Sequence, residues 1–369
     1  MSSTGKRINQ FEPWFDEEEK KQLAQVIDSG WIQESKLTRE FEKQYADFVG
    51  AKYAVSTTSG TIAIFMALKA YGIGPGDRVV VPDYTAIGTL NAVTLTGAAV
   101  DIVDVHGSDA NMDPEAFAKA ITPTTKAVIP VHINGRPAAM KRIMEIADKH
   151  GIRVIEDAAQ CLGSKLDGKH LGTFVDMGCF SLATSKIITT GQGGMVVTSS
   201  EELFKKLVEV KDQGTTARLK STTIPDWYEG IGFNFKFTDL QAAVGIAQFK
   251  KLQSRLKRRL EMHRLYKELL GGLADFIPTE TSRGIVPWYD DILLKSTQER
   301  SKVMQHIKQY QIGSREFYRP LHTQPAYKRE GNFENTILLS QRGMWLPSST
   351  FLTDDEVKFV AGKVKEALT

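Results

Sequence analysis

Short apolar runs alternate with helical segments from residue 52 to residue 157, and no other feature constrains the fold as strongly. The pattern predicts strands at 52–56, 78–82, 98–105, 126–133 and 152–157, separated by helices at 59–72, 86–96, 114–121 and 138–150. Strands this apolar are typical of a parallel sheet that helices cover on both faces. The sequence therefore predicts an α/β fold whose ligand lies beyond the C-terminal ends of the strands.

The remaining segments predict a second, smaller unit after this sheet. Helical spacing at 16–29 and 38–48 precedes the sheet, strands at 176–184 and 194–199 extend it, and one long helix follows from Thr238 to about residue 270. A strand near 288–294 and helices near 298–310 and 354–368 come last. We predict a large domain over residues 1–245, with a mainly parallel sheet between helices, and a small C-terminal α+β domain over residues 246–369.

Composition excludes several classes of protein. Of 369 residues, 47 are basic and 44 acidic, a net charge of +3 that predicts no nucleic-acid partner. An apolar leader and a run of about 18 apolar residues are both missing, so we expect neither secretion nor membrane insertion, and a cytoplasmic location. The two cysteines, Cys161 and Cys179, are not spaced as a metal-binding pair. We expect reduced structural thiols and no metal site.

The tripeptide Ser59-Gly60-Thr61 stands where the first strand turns into an apolar helix. A helix start of this kind offers free backbone N–H groups, close backbone approach at Gly60 and a hydroxyl at Thr61, all of which suit a phosphate. Taken alone, the motif is more often a plain N-cap.

Asp157 lies at the C-terminal end of an apolar strand, in VIEDAAQ. Strand alternation sends Glu156 and Asp157 to opposite faces, so the two do not form a carboxylate pair for acid–base catalysis. A lone carboxylate in an apolar setting needs a cationic partner to remain charged. That partner is either a basic side chain, in a structural salt bridge, or the protonated ring nitrogen of a bound cofactor.

Lys186 lies between hydroxyl residues in SLATSKIITTGQGG, residues 181–194. A lysine with a pKa of ~10.4 is protonated at neutral pH, and it attacks a carbonyl only when burial or a neighbouring cation lowers that pKa, or when it is stored as an imine. Taken singly, such a lysine is more often a solvated surface charge than a phosphate clamp or a reactive amine. The glycines follow the lysine, whereas in a P-loop they precede it, so a nucleotide triphosphatase fits poorly. No GxGxxG motif follows the first strands, so a nicotinamide dehydrogenase also fits poorly.

The order of these motifs on one alternating sheet favours a single cofactor. A phosphate site, a carboxylate for a pyridinium nitrogen and an imine-forming lysine are what pyridoxal 5'-phosphate requires. The chain also resembles the DegT/DnrJ/EryC1/StrS sugar aminotransferase family of fold-type I pyridoxal phosphate enzymes. The segments that carry the resemblance include SGTIAIFMALKAYGIGPGDRVVVP, PVHINGRP, VIEDAAQCLGS, SKIITTGQGGMVVT, GFNFKFTDLQAAVGIAQ and RPLHTQPAY.

The resemblance implies a role for each site residue. Lys186 would bind the cofactor and shuttle protons, Asp157 would pair with the ring nitrogen, and Gln160 would lie near the cofactor's 3'-oxygen. The residues expected to hold the phosphate are Gly60, Thr61, Ser181 and, from the neighbouring subunit of a homodimer, Asn234. The residues expected to line the substrate pocket are His322, Trp288 and Tyr289. A packed, structural His322 remains an open alternative.

The resemblance also implies a reaction. L-glutamate would give its amino group to a nucleotide-linked keto-sugar, and the KIITTG and GMVVT segments are most similar to perosamine-type enzymes, which act at C4 of a 4-keto-6-deoxyhexose. Amination at C3, amination of a keto-cyclitol and a non-catalytic, cofactor-binding regulator are the alternatives. A dehydratase relative would have histidine in place of Lys186.

Three positions depart from the family pattern. Ala86 stands where an aromatic residue usually stacks on the pyridine ring, and Tyr84, on the same face if the stretch is extended, is our candidate substitute. Gln192 replaces a commoner glutamate, and Ser35-Lys36 interrupts a usual glycine. These departures bear on cofactor stacking and on the substrate more than on the reaction class.

Overall fold

The computed structural model describes residues 7–219 and 227–369. In these residues the helices are α1 Glu17–Ser29, α2 Lys36–Val49, α3 Gly60–Ala70, α4 Ile87–Leu95, α5 Pro114–Ala120, α6 Met140–His150, α7 Glu201–Lys211, α8 Asp239–Lys250, α9 Leu252–Leu270, α10 Thr297–Gln309, α11 Glu334–Arg342 and α12 Asp354–Leu368. The strands are β1 Tyr53–Thr57, β2 Arg78–Pro82, β3 Ala99–Val103, β4 Thr125–Val128, β5 Arg153–Val154, β6 Glu156–Asp157, β7 Lys165–Leu166, β8 Lys169–His170, β9 Met177–Ser181, β10 Gly194–Thr198, β11 Asp275–Phe276, β12 Asp291–Leu293, β13 Arg315–Glu316 and β14 Gly343–Trp345.

The predicted α/β sheet is confirmed, with one strand reversed. Two four-stranded sheets, ordered β3-β2-β4-β5 and β6-β9-β10-β1, meet where β5 continues into β6, and a parallel bridge between Val131 and Asp157 joins them. Every neighbouring pair is parallel except those of β10, which runs antiparallel to both β1 and β9. The C-terminal ends of the parallel strands therefore share one edge, where Asp157 lies.

Helices cover both faces of this sheet, as the apolar strands predict. On β9, Cys179 packs with the apolar side of α3 and α7, whereas the next residue, Phe180, packs with α2 and α8. Alternate residues of one strand thus enter different cores. The central strands are shielded from water on both sides, so a polar group at their ends lies in an apolar setting.

The long helix predicted from Thr238 to about residue 270 is in fact two helices. Thr238 caps α8 in a capping box with Gln241, and the helix ends at Lys250. Lys251 separates it from α9, and its Nζ lies 2.7 Å from Asp16 Oδ1 and 2.8 Å from Glu19 Oε1. The break changes the helix partners, because α8 packs on α1 and α2 whereas α9 packs on α12.

The C-terminal elements form a small antiparallel sheet, ordered β11-β12-β14-β13, against α9, α10 and α12. Met262, Ile292 and Val360 belong to this second core. Ile8, near the N-terminus, also packs there and bridges to Ile312. Both ends of the chain therefore contribute to this core, and the domain boundary at residue 245 stays a prediction.

The helices α7 and α11 and the hairpin of β7 and β8 were not predicted. In residues 7–219 and 227–369, none of the helices combines the length and the apolar character that crossing a bilayer requires. Cys161 and Cys179 are both buried free thiols, as expected for structural cysteines.

Candidate active site

The N-terminus of α3 forms a narrow cradle beside the end of β9. Ser59 has extended backbone, and its Oγ accepts a hydrogen bond of 3.2 Å from Ile62 N, which leaves the N–H groups of Gly60 and Thr61 at the open end of the helix. A Cβ on Gly60 would lie 2.9 Å from the Cβ of Ser181. The structure thus brings Gly60, Thr61 and Ser181 together and leaves no room for a side chain at Gly60. Free N–H groups at a helix start beside a hydroxyl suit an anion.

The glycines that follow Lys186 form a turn that passes close to the same helix start. A Cβ on Gly194 would lie 2.2 Å from Ser59 O, so only glycine allows this approach. The backbone oxygen of Gln192 accepts hydrogen bonds of 2.8 Å from both Gln241 Nε2 and Thr190 Oγ1. The exposed side chain of Gln192 makes none of these contacts.

Asp157 is a buried carboxylate held by two donors. Thr89 Oγ1 donates to Oδ2 at 2.8 Å, and the backbone N–H of Ala159 donates to Oδ1 at 3.1 Å. Asp157 forms no salt bridge with the residues the structure describes, and burial raises the pKa of its carboxyl. Glu156 instead meets His132, with 2.8 Å between Oε2 and Nε2. The two carboxylates therefore have separate partners, as strand alternation predicts.

Lys186 lies against an aromatic ring rather than in open solvent. Its Nζ is 3.7 Å from the centroid of Trp288, whose ring stacks on Tyr289 at 4.0 Å. Trp288 Nε1 also donates to Ser185 O at 2.7 Å, which fixes the ring beside the lysine. Burial lowers the pKa of Lys186 to about 8, although the nearby Asp157 acts in the opposite direction. A solvated surface charge is therefore the wrong interpretation of this residue.

Gln160 is buried near Asp157, and its amide has a fixed orientation. The backbone N–H of Asn134 donates to Gln160 Oε1 at 2.9 Å. Because that side is an acceptor, Nε2 is the end left to donate to another group. Sequence reasoning missed both Asn134 and Thr89 as site residues. Asn134 lies in the segment PVHINGRP, but its contact with Gln160, like that of Thr89 with Asp157, exists only in the folded chain.

His322 is held firmly by its neighbours. Its Nδ1 lies 2.6 Å from Asp83 Oδ2, its backbone N–H donates to Asp83 Oδ1 at 2.7 Å, and its ring stacks on Phe333 at 4.1 Å. Burial raises the pKa of Asp83, and the hydrogen bonds from His322 oppose that rise. These contacts leave Nε2 as the ring nitrogen that Asp83 does not bind. Whether His322 contacts substrate or is only packed stays open.

Tyr84 contacts other aromatic residues, and Asn234 lies on the surface. Tyr84 is fully buried, with ring centroids 5.7 Å from Phe317 and 5.6 Å from Tyr318. Asn234 is exposed and pairs through its backbone with Asp212. Stacking of Tyr84 on a cofactor and binding of a neighbouring subunit's phosphate by Asn234 stay predictions.

These residues fit pyridoxal phosphate. A Cβ would fill the cradle at Gly60, the buried Asp157 forms no salt bridge with the described residues, and Lys186 has a lowered pKa. A phosphate, a protonated ring nitrogen and a carbonyl carbon would satisfy these three features in turn. Together with the mainly parallel sheet, they are typical of a pyridoxal phosphate enzyme of fold-type I.

Comparison with known proteins identifies the family. The model of the DegT/DnrJ/EryC1/StrS aminotransferase family matches residues 13–365, and the chain belongs to that family. It is a pyridoxal phosphate-dependent aminotransferase.

Individual relatives match along nearly their whole length. The chain is 33% identical over 362 residues to the GDP-perosamine synthase of Vibrio cholerae, covering 96% of this chain and 97% of that protein. It is 34% identical over 370 residues to the spore coat polysaccharide biosynthesis protein SpsC of Bacillus subtilis, covering 96% and 95%. The solved structure of the aminotransferase TlmJ from Streptoalloteichus hindustanus has a TM-score of 0.90 at 27% identity and covers 98% of each chain.

Proposed function

We propose that this aminotransferase moves the amino group of L-glutamate to a nucleotide-linked keto-sugar, at C4 of a 4-keto-6-deoxyhexose. The observation that carries the reaction is the presence, at one sheet edge, of a lysine of lowered pKa near a buried carboxylate that forms no salt bridge with the described residues. The substrate rests on similarity to proteins called GDP-perosamine synthases, at 33% identity to those of both Vibrio cholerae and Escherichia coli O157:H7.

Lys186 and Asp157 have different roles in the reaction. When bound, pyridoxal phosphate supplies a carbonyl carbon that accepts the amino group and a ring that withdraws electrons. Asp157 keeps the ring nitrogen protonated, because a buried carboxylate stabilises a cation beside it. Thr89 and Ala159 hold that carboxylate in place. Lys186 Nζ takes a proton from the substrate carbon and returns it on the cofactor side, a task that suits an amine with a pKa of about 8.

The remaining residues hold the cofactor and exclude water. The free N–H groups of Gly60 and Thr61, with the hydroxyl of Ser181, bind the phosphate. Gln160 Nε2 donates to the 3'-oxygen of the ring, since its Oε1 already accepts from Asn134. The stacked pair of Trp288 and Tyr289 covers Lys186 on the substrate side and, with His322, contacts the sugar.

The enzyme acts as a homodimer in which Asn234 completes the partner's phosphate site. Support comes from the segment that precedes Asn234 in the chain, where Trp227 is 59% exposed, Tyr228 53% and Ile231 87%. Several large apolar side chains exposed in one short segment are typical of a protein interface. We expect the dimer to act on its small-molecule substrates in the cytoplasm.

Mixing two inactive variants tests this shared site. Lys186→Ala subunits retain Asn234, and Asn234→Ala subunits retain Lys186. If the phosphate contact crosses between subunits, a mixed dimer contains one complete site and regains up to half of the activity per dimer. If Asn234 serves its own subunit, mixing restores nothing.

A substrate panel tests the reaction and its alternatives. The loaded protein is incubated with L-glutamate and then with GDP- or dTDP-linked 4-keto-6-deoxyhexose, a 3-keto isomer or a keto-cyclitol, and products are identified by mass spectrometry and NMR. We expect amination at C4 of the 4-keto-sugar. Preferred amination of the 3-keto-sugar or of the cyclitol contradicts the proposed substrate. A visible band that L-glutamate does not change identifies a non-catalytic, cofactor-binding protein.

A further inference from the structure

Asn134 lies in the loop after β4 with a backbone conformation unusual for a residue with a side chain. Its φ is 53° and ψ 32°, in the left-handed region, and it is buried at 1% exposure. Asparagine tolerates this conformation better than most residues, yet it remains costly and persists only where its surroundings enforce it. The feature that enforces it is a set of hydrogen bonds to the segment that carries Trp288.

The side chain of Asn134 binds that segment at three points. Oδ1 accepts from Tyr289 N at 2.6 Å, while Nδ2 donates to Tyr289 O and to Asp291 Oδ2, both at 2.8 Å. Its backbone oxygen also accepts from Trp288 N at 3.3 Å. The side chain therefore satisfies both polar groups of the Tyr289 backbone, as a neighbouring strand would.

The same residue reaches the cofactor side of the site through its backbone. Its N–H donates to Gln160 Oε1 at 2.9 Å and so turns Gln160 Nε2 towards another acceptor. The adjacent Gly135 confirms how closely the two segments approach, because a Cβ there would lie 2.1 Å from Val286 O. Asn134 thus links Gln160, the residue proposed to contact the ring oxygen, to the residues that cover Lys186.

We infer that Asn134 is a positioning residue whose side chain holds Trp288 and Tyr289 against Lys186 while its backbone orients Gln160. It touches neither substrate nor cofactor and acts through these neighbours. This inference goes beyond the proposed function and requires only that the chain binds pyridoxal phosphate at Lys186. It leaves the sugar and the amino donor unspecified.

A double-mutant cycle between Asn134 and Trp288 tests the inference. The readout is the pH midpoint of the rate at which unloaded protein binds pyridoxal phosphate, which reports the titration of the Lys186 amine. Asn134→Gly keeps the left-handed backbone and the N–H to Gln160, and removes only the three side-chain bonds. Trp288→Leu removes the ring face and keeps an apolar cover.

We expect Trp288→Leu to lower the midpoint by about 0.5 pH unit in the wild-type background, and by less than half as much beside Asn134→Gly. Affinity for pyridoxal phosphate stays within about 3-fold in Asn134→Gly, because the backbone contact to Gln160 is kept. An equal Trp288→Leu shift in both backgrounds overturns the inference, even if Asn134→Gly lowers the melting temperature.

A second variant covers the case in which Asn134→Gly does not fold. Asn134→Asp keeps the volume and the bond from Tyr289 N but turns an acceptor towards Tyr289 O and Asp291. The same reduced response to Trp288→Leu is expected, and an unreduced one again overturns the inference. Since the readout needs no sugar and no amino donor, it can fail while the proposed aminotransfer holds, and the reverse is equally true.

Discussion

Lys186 Nζ lies 3.7 Å from the ring centroid of Trp288, a residue that also bonds to the backbone oxygen of Ser185, 103 residues away in the chain. A cation over the face of tryptophan gains about 0.5–2 kcal/mol, more where water is excluded. Trp288 therefore does two things to the lysine: its bulk removes water, which favours the neutral amine, and its face stabilises the ammonium.

These two effects can be separated by replacing the ring with an aliphatic side chain. In Trp288→Leu the apolar cover stays and the π face is lost, so the ammonium loses stabilisation and the pKa of Lys186 falls below its wild-type value. We expect a decrease of about 0.5 pH unit, and a smaller one in Trp288→Phe, which keeps a weaker π face. The measurement is the pH dependence of the rate of pyridoxal phosphate binding. A rise of the midpoint in Trp288→Leu contradicts the cation–π contact.

The pH dependence of cofactor binding in the wild type follows from the same lysine. Burial lowers the pKa of Lys186 to about 8, so the neutral, nucleophilic amine increases through that pH and is complete above it. The rate should therefore rise about 10-fold for each pH unit below 8 and level off above it. Stopped-flow mixing of unloaded protein with pyridoxal phosphate measures the profile. A rate that still increases at pH 10 indicates an exposed lysine with its ordinary pKa.

Asp157 is expected to destabilise the protein when no cofactor is bound. Burial raises the pKa of its carboxyl in the folded state, so the folded protein binds a proton more readily than the unfolded chain, and stability falls as pH rises from the unfolded pKa to the folded one. The whole penalty is present once the pH exceeds the folded-state pKa. Asp157→Asn should raise the melting temperature of the unloaded protein by about 1–3 °C, as measured by calorimetry at pH 7. A lower melting temperature contradicts an unpaired buried carboxylate.

The same substitution should impair the loaded enzyme. Without the carboxylate the ring nitrogen loses its proton, and the rate of the spectral change on adding L-glutamate should fall about 100-fold or more. Glu115→Gln is a suitable control, because Glu115 is an exposed carboxylate whose partner is Arg142 on the surface. Equal rates for Asp157→Asn and the control exclude Asp157 as the partner of the ring nitrogen.

Replacing His322 decides between its two interpretations. Asp83 binds Nδ1, so a substrate contact has to use Nε2. If it does, His322→Phe raises KM for the keto-sugar about 10-fold, and leaves binding of pyridoxal phosphate and the reaction with L-glutamate unchanged. His106→Phe is the matched control, since His106 is an exposed histidine beside Asp113. A loss of thermal stability with unchanged KM identifies His322 as a structural residue.

Local sequence pattern predicts most of the large domain's fold, because strands buried on both faces are continuous apolar runs in the sequence. The strands of Val55, Val79 and Val196 are apolar runs, and the helix between the first two begins at a recognisable cap, Ser59. The apolar pattern of a strand does not indicate whether it runs parallel or antiparallel to its neighbours. The antiparallel course of β10 depends on its pairing with β1 and β9, which lie on either side of it in space. The break at Lys251 is also a tertiary effect, since salt bridges to α1 stabilise it.

The site follows the same division. Gly60, Asp157 and Lys186 can be found from sequence because each stands at the end of a predicted strand or the start of a helix. Thr89 and Asn134 cannot, because they act through contacts that only the folded chain creates. Tyr84 packs in the core against Phe317 and Tyr318, and its stacking on a cofactor stays a prediction.

The most direct test of the site is to find which amine holds the cofactor. The protein is loaded with pyridoxal phosphate, reduced with sodium borohydride so that the cofactor becomes permanently attached, digested and sequenced by mass spectrometry. The predicted result is a single modified lysine, Lys186, and no modification or visible band in Lys186→Ala. Modification of another lysine, such as the buried Lys211, whose pKa is also lowered to about 8, or an unchanged visible band in Lys186→Ala, contradicts the assignment.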